Sequence, residues 1–362
     1  MQSSDIFSVG GSVSVNAHGM DHRFGSVAGS IRRLRVMLAD GTVTECSREK
    51  NPDLFRHVVG GYGLFAAILQ ATLDVTGNAI YRTERKVVAA RDFPSVFARE
   101  IEAAADLGLF YGHLSTAPSS LMEEMVLYYY RTEPAADPAS IAPLGEPGAV
   151  RAKRLLLNLA KMGGAFAALK WQAEKSLEPK FESCTVPRTA AMGQGEACLV
   201  SRNDPMHDSV PYLFNDLAGD TDILHEYFFP RAAYGAFIPA AARVLKDHAA
   251  SVLNASLRVV HAEDTALTYA PAPAFSLVLY VNQKTDARGH AKMRALTRAL
   301  IDLTLSHGGR FFLPYQLHYT RAQLLASYPE LPAFLARKDH YDPSGLFTST
   351  WYRAAKALVA KA

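Results

Sequence analysis

The sequence predicts an α+β protein built on a largely antiparallel sheet with helices packed on one face. Three observations predict it. Strand-like stretches come in runs in the later half, "DILHEYFFP", "SLRVVHA", "TALTYA" and "AFSLVLYVNQ", and such runs favour antiparallel pairing over repeated βαβ units. Two long helical stretches accompany them, "RAAYGAFIPAAARVLKDHAA", with Pro239 inside it, and "ARGHAKMRALTRALIDLTLSHGG", stopped by Gly308-Gly309. Near the start, "IRRLRVMLADGTVTEC" alternates Leu34, Val36 and Leu38 up to Asp40-Gly41, a pair that makes a tight hairpin because both positions tolerate positive φ.

The remaining elements follow in order. Asn51 is placed to cap a helix whose first residue is Pro52, and Gly60, Gly61 and Gly63 end it. "LFAAILQATLDVTGN" sets Leu69, Ala71, Leu73 and Val75 on alternate positions, a strand that stops at Gly77-Asn78. "PSVFAREIEAAADLG" reads as helix, "EEMVLYYYRTE" as strand and "EPAADPASIAPLGEPG" as a Pro- and Ala-rich loop. In "RAKRLLLNLAKMGGAFAALKWQAEK", Leu155, Leu156, Leu159, Met162 and Phe166 recur at helical spacing with Arg and Lys between them. This stripe is expected to pack on the domain; the alternative is a basic amphipathic helix lying on a membrane.

Composition restricts the function classes. At 49% hydrophobic and 20% charged residues over 362 positions, the chain is globular rather than disordered, with room for one large or two medium domains. A net charge of +3 without a dense basic block gives no nucleic-acid footprint. Cys46, Cys184 and Cys198 form no C-x-x-C pair, which supports neither a disulfide framework nor a zinc ribbon and makes a reducing cytoplasm the expected setting. Neither a secretory leader nor an apolar run of membrane-spanning length is evident, so a membrane is not among the expected partners.

Local motifs are weak. Gly61-Tyr62-Gly63-Leu64-Phe65-Ala66 fits G-x-G-x-x-A, but here a helix precedes the glycines and a strand follows, the reverse of a dinucleotide-binding turn. His18 and His22 stand four apart, yet Gly19 and Gly25 interrupt any helix and no third ligand is near, so no metal is expected. "VGGSVSVNAHG" offers small side chains and closely spaced backbone N–H groups to a flat or anionic ligand; tight backbone packing is the equal alternative.

Taken together, "FSVGGSVSVNAHGMDHRFGS", "LADGTV" and "NPDLFRHVVGGYGLFAAILQATLDV", with "GGRFFLPYQLHYTRAQLLASYPELPAFLARKDHYDPSGLFTSTWYR" at the far end, resemble the FAD-linked oxidases of the vanillyl-alcohol oxidase and p-cresol methylhydroxylase (PCMH-type) superfamily. The likeness is greatest to sugar, alditol, aldonolactone and decaprenylphosphoryl-ribose oxidases. It implies three parts: the second half of a PCMH-type FAD-binding domain over 1–78, a substrate or cap domain over 79–330, and a segment over 331–362 that returns to the first. The first FAD subdomain of these enzymes has no counterpart in the sequence, which sets the expectation of a truncated product, a misassigned start or one half of a split enzyme. An exposed apolar edge and a partner chain that supplies the missing half belong to the same expectation.

The resemblance implies FAD as cofactor and hydride transfer from a CH–OH carbon of a small alcohol or sugar to flavin N5. Gly10, Gly11, Ser12, Ser14, Asn16, His18 and Gly19 would run along the flavin, with Gly63 and Ile68 approaching from the next strand. Ala66 stands where the family often has glycine. Glu226 would face the substrate as a base, Arg258 would bind an anionic group, and Tyr315 and His318 come from the segment that returns to the site; Tyr315 stands where ribose oxidases carry lysine. The alternative is a non-catalytic remnant or subunit that holds no flavin.

Overall fold

The computed structural model describes residues 6–134, 150–176, 199–207 and 212–360. The Pro- and Ala-rich stretch beyond Pro134, Cys184 and Cys198 lie outside the described residues.

A short helix, α1 (Val9–Ser14), opens the described chain; Ser8 caps it by accepting from the Gly11 N–H at 3.1 Å. Strands β1 (Ile31–Met37), β2 (Val43–Ser47) and β3 (Ala67–Leu73) form an antiparallel sheet in the order β2-β1-β3. Helix α2 (Pro52–Val58) lies between β2 and β3. Asn51 precedes it in the left-handed region, φ 50°, and its amide donates to the Glu45 carbonyl rather than accepting from the helix. Its contribution is therefore tolerance of positive φ rather than a side-chain cap. The alternation in β3 does not sort inside from outside, since Leu69 and, just beyond the strand, Val75 are solvent-exposed. Exposed Phe24, Met37 and Val43 belong to the same part of the molecule.

An eight-stranded antiparallel sheet follows, ordered β11-β8-β10-β9-β5-β6-β4-β7. Its strands are β4 (Ile80–Ala89), β5 (Leu107–Leu114), β6 (Glu124–Thr132), β7 (Leu199–Ser201), β8 (Asp220–Pro230), β9 (Ser251–Val260), β10 (Ala274–Lys284) and β11 (Arg310–Phe311). The helices among and after them are α3 (Phe93–Val96, continued by a π turn over Phe97–Ile101), α4 (Val150–Ala160), α5 (Gly164–Ser176), α6 (Asp204–His207), α7 (Tyr234–Asp247), α8 (Ala287–Ser306), α9 (Arg321–Ser327), α10 (Leu331–Tyr341) and α11 (Thr350–Ala360). Thr265–Ala270, which reads as a strand, forms none. Its polar groups bond elsewhere: the Ala266 N–H donates to the Arg56 carbonyl at 2.8 Å, and the Tyr269 hydroxyl to the Asn16 carbonyl at 2.7 Å.

Register makes the large sheet two-faced. Tyr227, Phe229, Phe275, Leu277, Leu279, Leu257 and Val259 point one way into the main core, where α7 and α8 cover them and Phe229 stacks on Phe237 at 4.0 Å between centroids. The opposite face carries Asp222, Glu226, Ser276, Tyr280, Ser256, Arg258 and His113. Helices cover both faces, not one. The α4–α5 hairpin lies on the polar face because that face offers partners for its charged side chains: buried Lys161 pairs with Asp222 at 2.7 Å, and Trp171 packs edge-on against His113. Gly163, at φ 155°, and Gly164 break the single helix that the periodicity suggests into these two. The final helices return to residues 53–65, through Arg337 to Asp53, Phe334 against Phe65 and Trp351 against Tyr62.

Candidate active site

The glycine-rich opening and the polar face of the large sheet meet at His18. Asn16 takes φ 50°, a left-handed turn that asparagine tolerates, and swings His18 off the end of α1 toward β8. There His18 Nε2 meets Glu226 Oε1 at 2.6 Å, with both side chains buried. Ser276, on the neighbouring strand, donates to the same carboxylate oxygen. Arg258 stands opposite Ser276 in the register, and Tyr315 lies beside Glu226. Phe228, Tyr269 and Phe312 ring the imidazole at 5.5, 5.7 and 6.4 Å. Aromatic walls exclude water and strengthen every charge inside them.

Burial raises the Glu226 pKa, but the charge and hydrogen bond of His18, the Ser276 hydroxyl and the Arg258 guanidinium outweigh it, holding the group below the ordinary carboxylate range. Glu226 is thus a fixed anion, a weaker base than an isolated desolvated carboxylate. Burial lowers the Arg258 pKa and Glu226 raises it. Burial first, then Glu226, pushes the Tyr315 phenol far above its usual range, so it remains a hydrogen-bond donor. His18 Nδ1 and Arg258 Nη1 are buried and have no partner among the described residues. An unpaired buried polar atom is costly, which makes both of them candidates for ligand contact. His318 turns instead to Gln316, 2.9 Å from its Nε2, and burial with Arg294 and Arg298 lowers its pKa to about 4.

The residues expected along a flavin divide. Asn16 spends its amide on the Ala28 N–H, at 3.1 Å, and on the Glu263 carboxylate. Gly19 is buried; Gly10, Gly11, Ser12 and Ser14 lie on or near the surface of α1. Their backbone does not form the open row of N–H groups that the sequence suggests, because Ser8 takes the Gly11 and Ser12 N–H groups and the Ala17 N–H returns to the Ser12 carbonyl. The Gly60–Gly63 turn docks on the same helix end, Gly60 N–H to Val13 O at 3.0 Å and Tyr62 N–H to Ser14 O at 2.8 Å. Gly63 is thereby brought beside α1, which also packs against β3, the strand of half-buried Ile68. At Gly10 and Gly63 an added Cβ would meet nothing within 4 Å. Such open backbone fits the flat side of a flavin ring.

Two participants escape sequence reasoning. Ser276 is a small polar residue in an otherwise apolar strand, a signal present in "AFSLVLYV". Glu263 carries no local signal; burial pushes its pKa up to about 8 against the hydrogen bonds it accepts from Asn16 and Thr265. His22 does not join His18. Buried beside Phe110, it is lowered to about 4 by desolvation. The pocket beside Glu226, lined also by His225, Thr297, Phe312, Tyr315 and Gln316, encloses about 20 Å³, room for roughly one water molecule.

No protein-family profile matches the chain. Short stretches are similar to curated oxidoreductases: 37% identity over 65 residues to a putative D-arabinono-1,4-lactone oxidase of Neurospora crassa, 39% over 69 residues to an uncharacterized oxidoreductase of the fasciation locus of Rhodococcoides fascians, and 35% over 81 residues to a D-arabinono-1,4-lactone oxidase of Yarrowia lipolytica. These stretches take in 18, 19 and 22% of this chain and 12, 16 and 15% of the respective relatives. The chain therefore matches well under a quarter of the length of each. The likeness is thus to short stretches of proteins named as an oxidoreductase or as lactone oxidases.

Proposed function

We propose that this chain is the substrate-facing part of an FAD-dependent oxidoreductase that acts on the CH–OH group of a sugar, a sugar lactone or a related polyol. The observation that carries this reading is the buried His18–Glu226 pair, at 2.6 Å, where the glycine-rich segment meets the polar sheet face. The names of the two lactone oxidases support the substrate class. FAD, when bound, supplies the hydride acceptor. Gly10, Gly11, Ser12, Ser14 and Gly63 would hold one side of its ring, with Ile68 behind them.

The chain's own residues divide the remaining work. Ionised Glu226 accepts the Nε2 proton of His18 and so leaves Nδ1 as a bare acceptor, the arrangement in which a carboxylate fixes the tautomer of a general base. His18 Nδ1 takes the proton of the substrate hydroxyl as the carbon gives up its hydride. Arg258 Nη1 donates to a substrate oxygen, and Tyr315 adds a second donor beside it. Glu226 is the orienting anion in this scheme rather than the base.

The test is an absorbance spectrum of the purified chain before and after addition of FAD and removal of the excess. Retained flavin, with its band near ~450 nm, supports the reading, and His18→Ala should then lower turnover of aldonolactones by about 100-fold. A second reading, a subunit without catalysis, is favoured by the size of the cavity beside Glu226, about 20 Å³, which is room for roughly one water molecule and too little for a sugar ring. Protein that stays colourless overturns the first reading for this chain and supports the second.

A further inference from the structure

The α4–α5 hairpin is amphipathic in the inverted sense. Three of its lysines are matched by carboxylates: Lys161 pairs with Asp222 on the sheet and Lys170 with Glu174 of the same helix, both lysine side chains buried, while Lys175 reaches Glu124 of β6 at 3.1 Å. Its apolar side faces away, with Leu155 61% exposed, Met162 66%, Phe166 39% and Leu169 56%. Of the stripe recognised in the sequence, Leu156 and Leu159 are half-buried, while Leu155, Met162 and Phe166 stand exposed. A surface helix ordinarily shows the opposite arrangement, and an apolar face held outward by buried ion pairs calls for a partner.

We propose that this hairpin docks the protein on an anionic phospholipid surface, with Leu155, Met162, Phe166 and Leu169 entering the headgroup–acyl boundary. Charge selects this occupant. Of the six Lys and Arg in residues 150–176, Lys161, Lys170 and Lys175 are matched by Asp222, Glu174 and Glu124; of the remaining three, Arg151 and Lys153 supply surplus positive charge. Arg151 is exposed and Lys153 and Arg154 are half-buried at the start of α4, beside the apolar face. No exposed carboxylate of the hairpin opposes anionic headgroups. Area argues against a second copy: four side chains make a patch of a few hundred Å², short of the roughly 800 Å² per partner of a stable interface. Insertion to a shallow depth by such a face, with cations beside it, is how interfacial helices bind.

Co-sedimentation of the full chain with vesicles of phosphatidylcholine, with and without phosphatidylglycerol, tests the proposal. The expected result is binding that increases with phosphatidylglycerol and weakens with salt. Leu155→Glu with Leu169→Glu should reduce partitioning by about tenfold or more without changing circular dichroism, and Met162→Glu alone should act in the same direction. Leu69→Glu, on the small sheet, should leave it unchanged. Failure of the parent chain to bind, or equal binding by the double variant, overturns the proposal. A dimer that the double variant dissolves, with no vesicle binding, overturns it in favour of a second copy.

Discussion

Glu226 is buried and Glu263 half-buried; their surroundings push them in opposite directions, and stability against pH separates them. Glu226 lies below its ordinary range, so its contribution is present above the unfolded carboxylate pKa and is lost as pH falls. Desolvation lowers His22 and His225 from 6.5 to about 4, which also removes stability as pH drops from 6.5 toward 4, because the unfolded chain binds those protons first. Glu263 is raised from 4.5 to about 8; its cost grows as pH rises through that window. Urea midpoints should therefore fall on both the acid and the alkaline side, and Glu263→Gln should be more stable than the parent at pH 8 and not at pH 4.5. Equal effects at both pH values would refute the assignment. Glu226→Ala, which removes the carboxylate facing the buried Arg258 guanidinium and leaves His18 Nε2 without its partner, should cost about 3 kcal/mol or more in denaturant unfolding.

At the scale of elements, the Gly60–Gly63 turn joins α2 to β3 and binds the end of α1 through two backbone hydrogen bonds. Its glycines are not equivalent. A Cβ on Gly61 would lie 1.7 Å from the His57 carbonyl oxygen, whereas one on Gly63 meets open space, though at φ 71°. Gly61→Ala should prevent folding or lower the melting temperature severely. Gly63→Ala should cost only about 1 kcal/mol, the penalty of a left-handed alanine. If a flavin lies over Gly63, the mild variant should nonetheless weaken FAD binding, as read by fluorescence titration; unchanged affinity would place the ring elsewhere.

In the molecule as a whole, one continuous core runs from α2 and the small sheet through the large sheet to the last helices. Helices α10 and α11 pack Phe334 on Phe65 and Trp351 on Tyr62, and Arg337 pairs with Asp53. A chain ending before Leu331 should lose hydrogen-exchange protection across α2 and β3 while the β8–β10 ladder keeps its own; protection retained in β3 would argue that the small sheet is independent.

Most elements were legible in the sequence, because period and punctuation are local properties. The hairpin turning at Asp40-Gly41, the long helix ending at Gly308-Gly309 and the apolar strands of the large sheet all follow from neighbours in the chain. The sequence by itself also determined the α+β class, because runs of strand-like and helix-like stretches are read from their own periodicity. Tertiary structure alone decided how faces and partners combine. Thr265–Ala270 carries strand-like residues, but Arg56 and Asn16, far away in sequence, take its polar groups. Leu155, Met162 and Phe166 spell a helix without saying that Lys161 and Lys175 would find Asp222 and Glu124 on the sheet and leave those three side chains outward. The site depends on pairing across 208 positions between His18 and Glu226. Periodicity describes only near neighbours, whereas register, burial and the desolvation that sets each charge are created when distant segments close on one another.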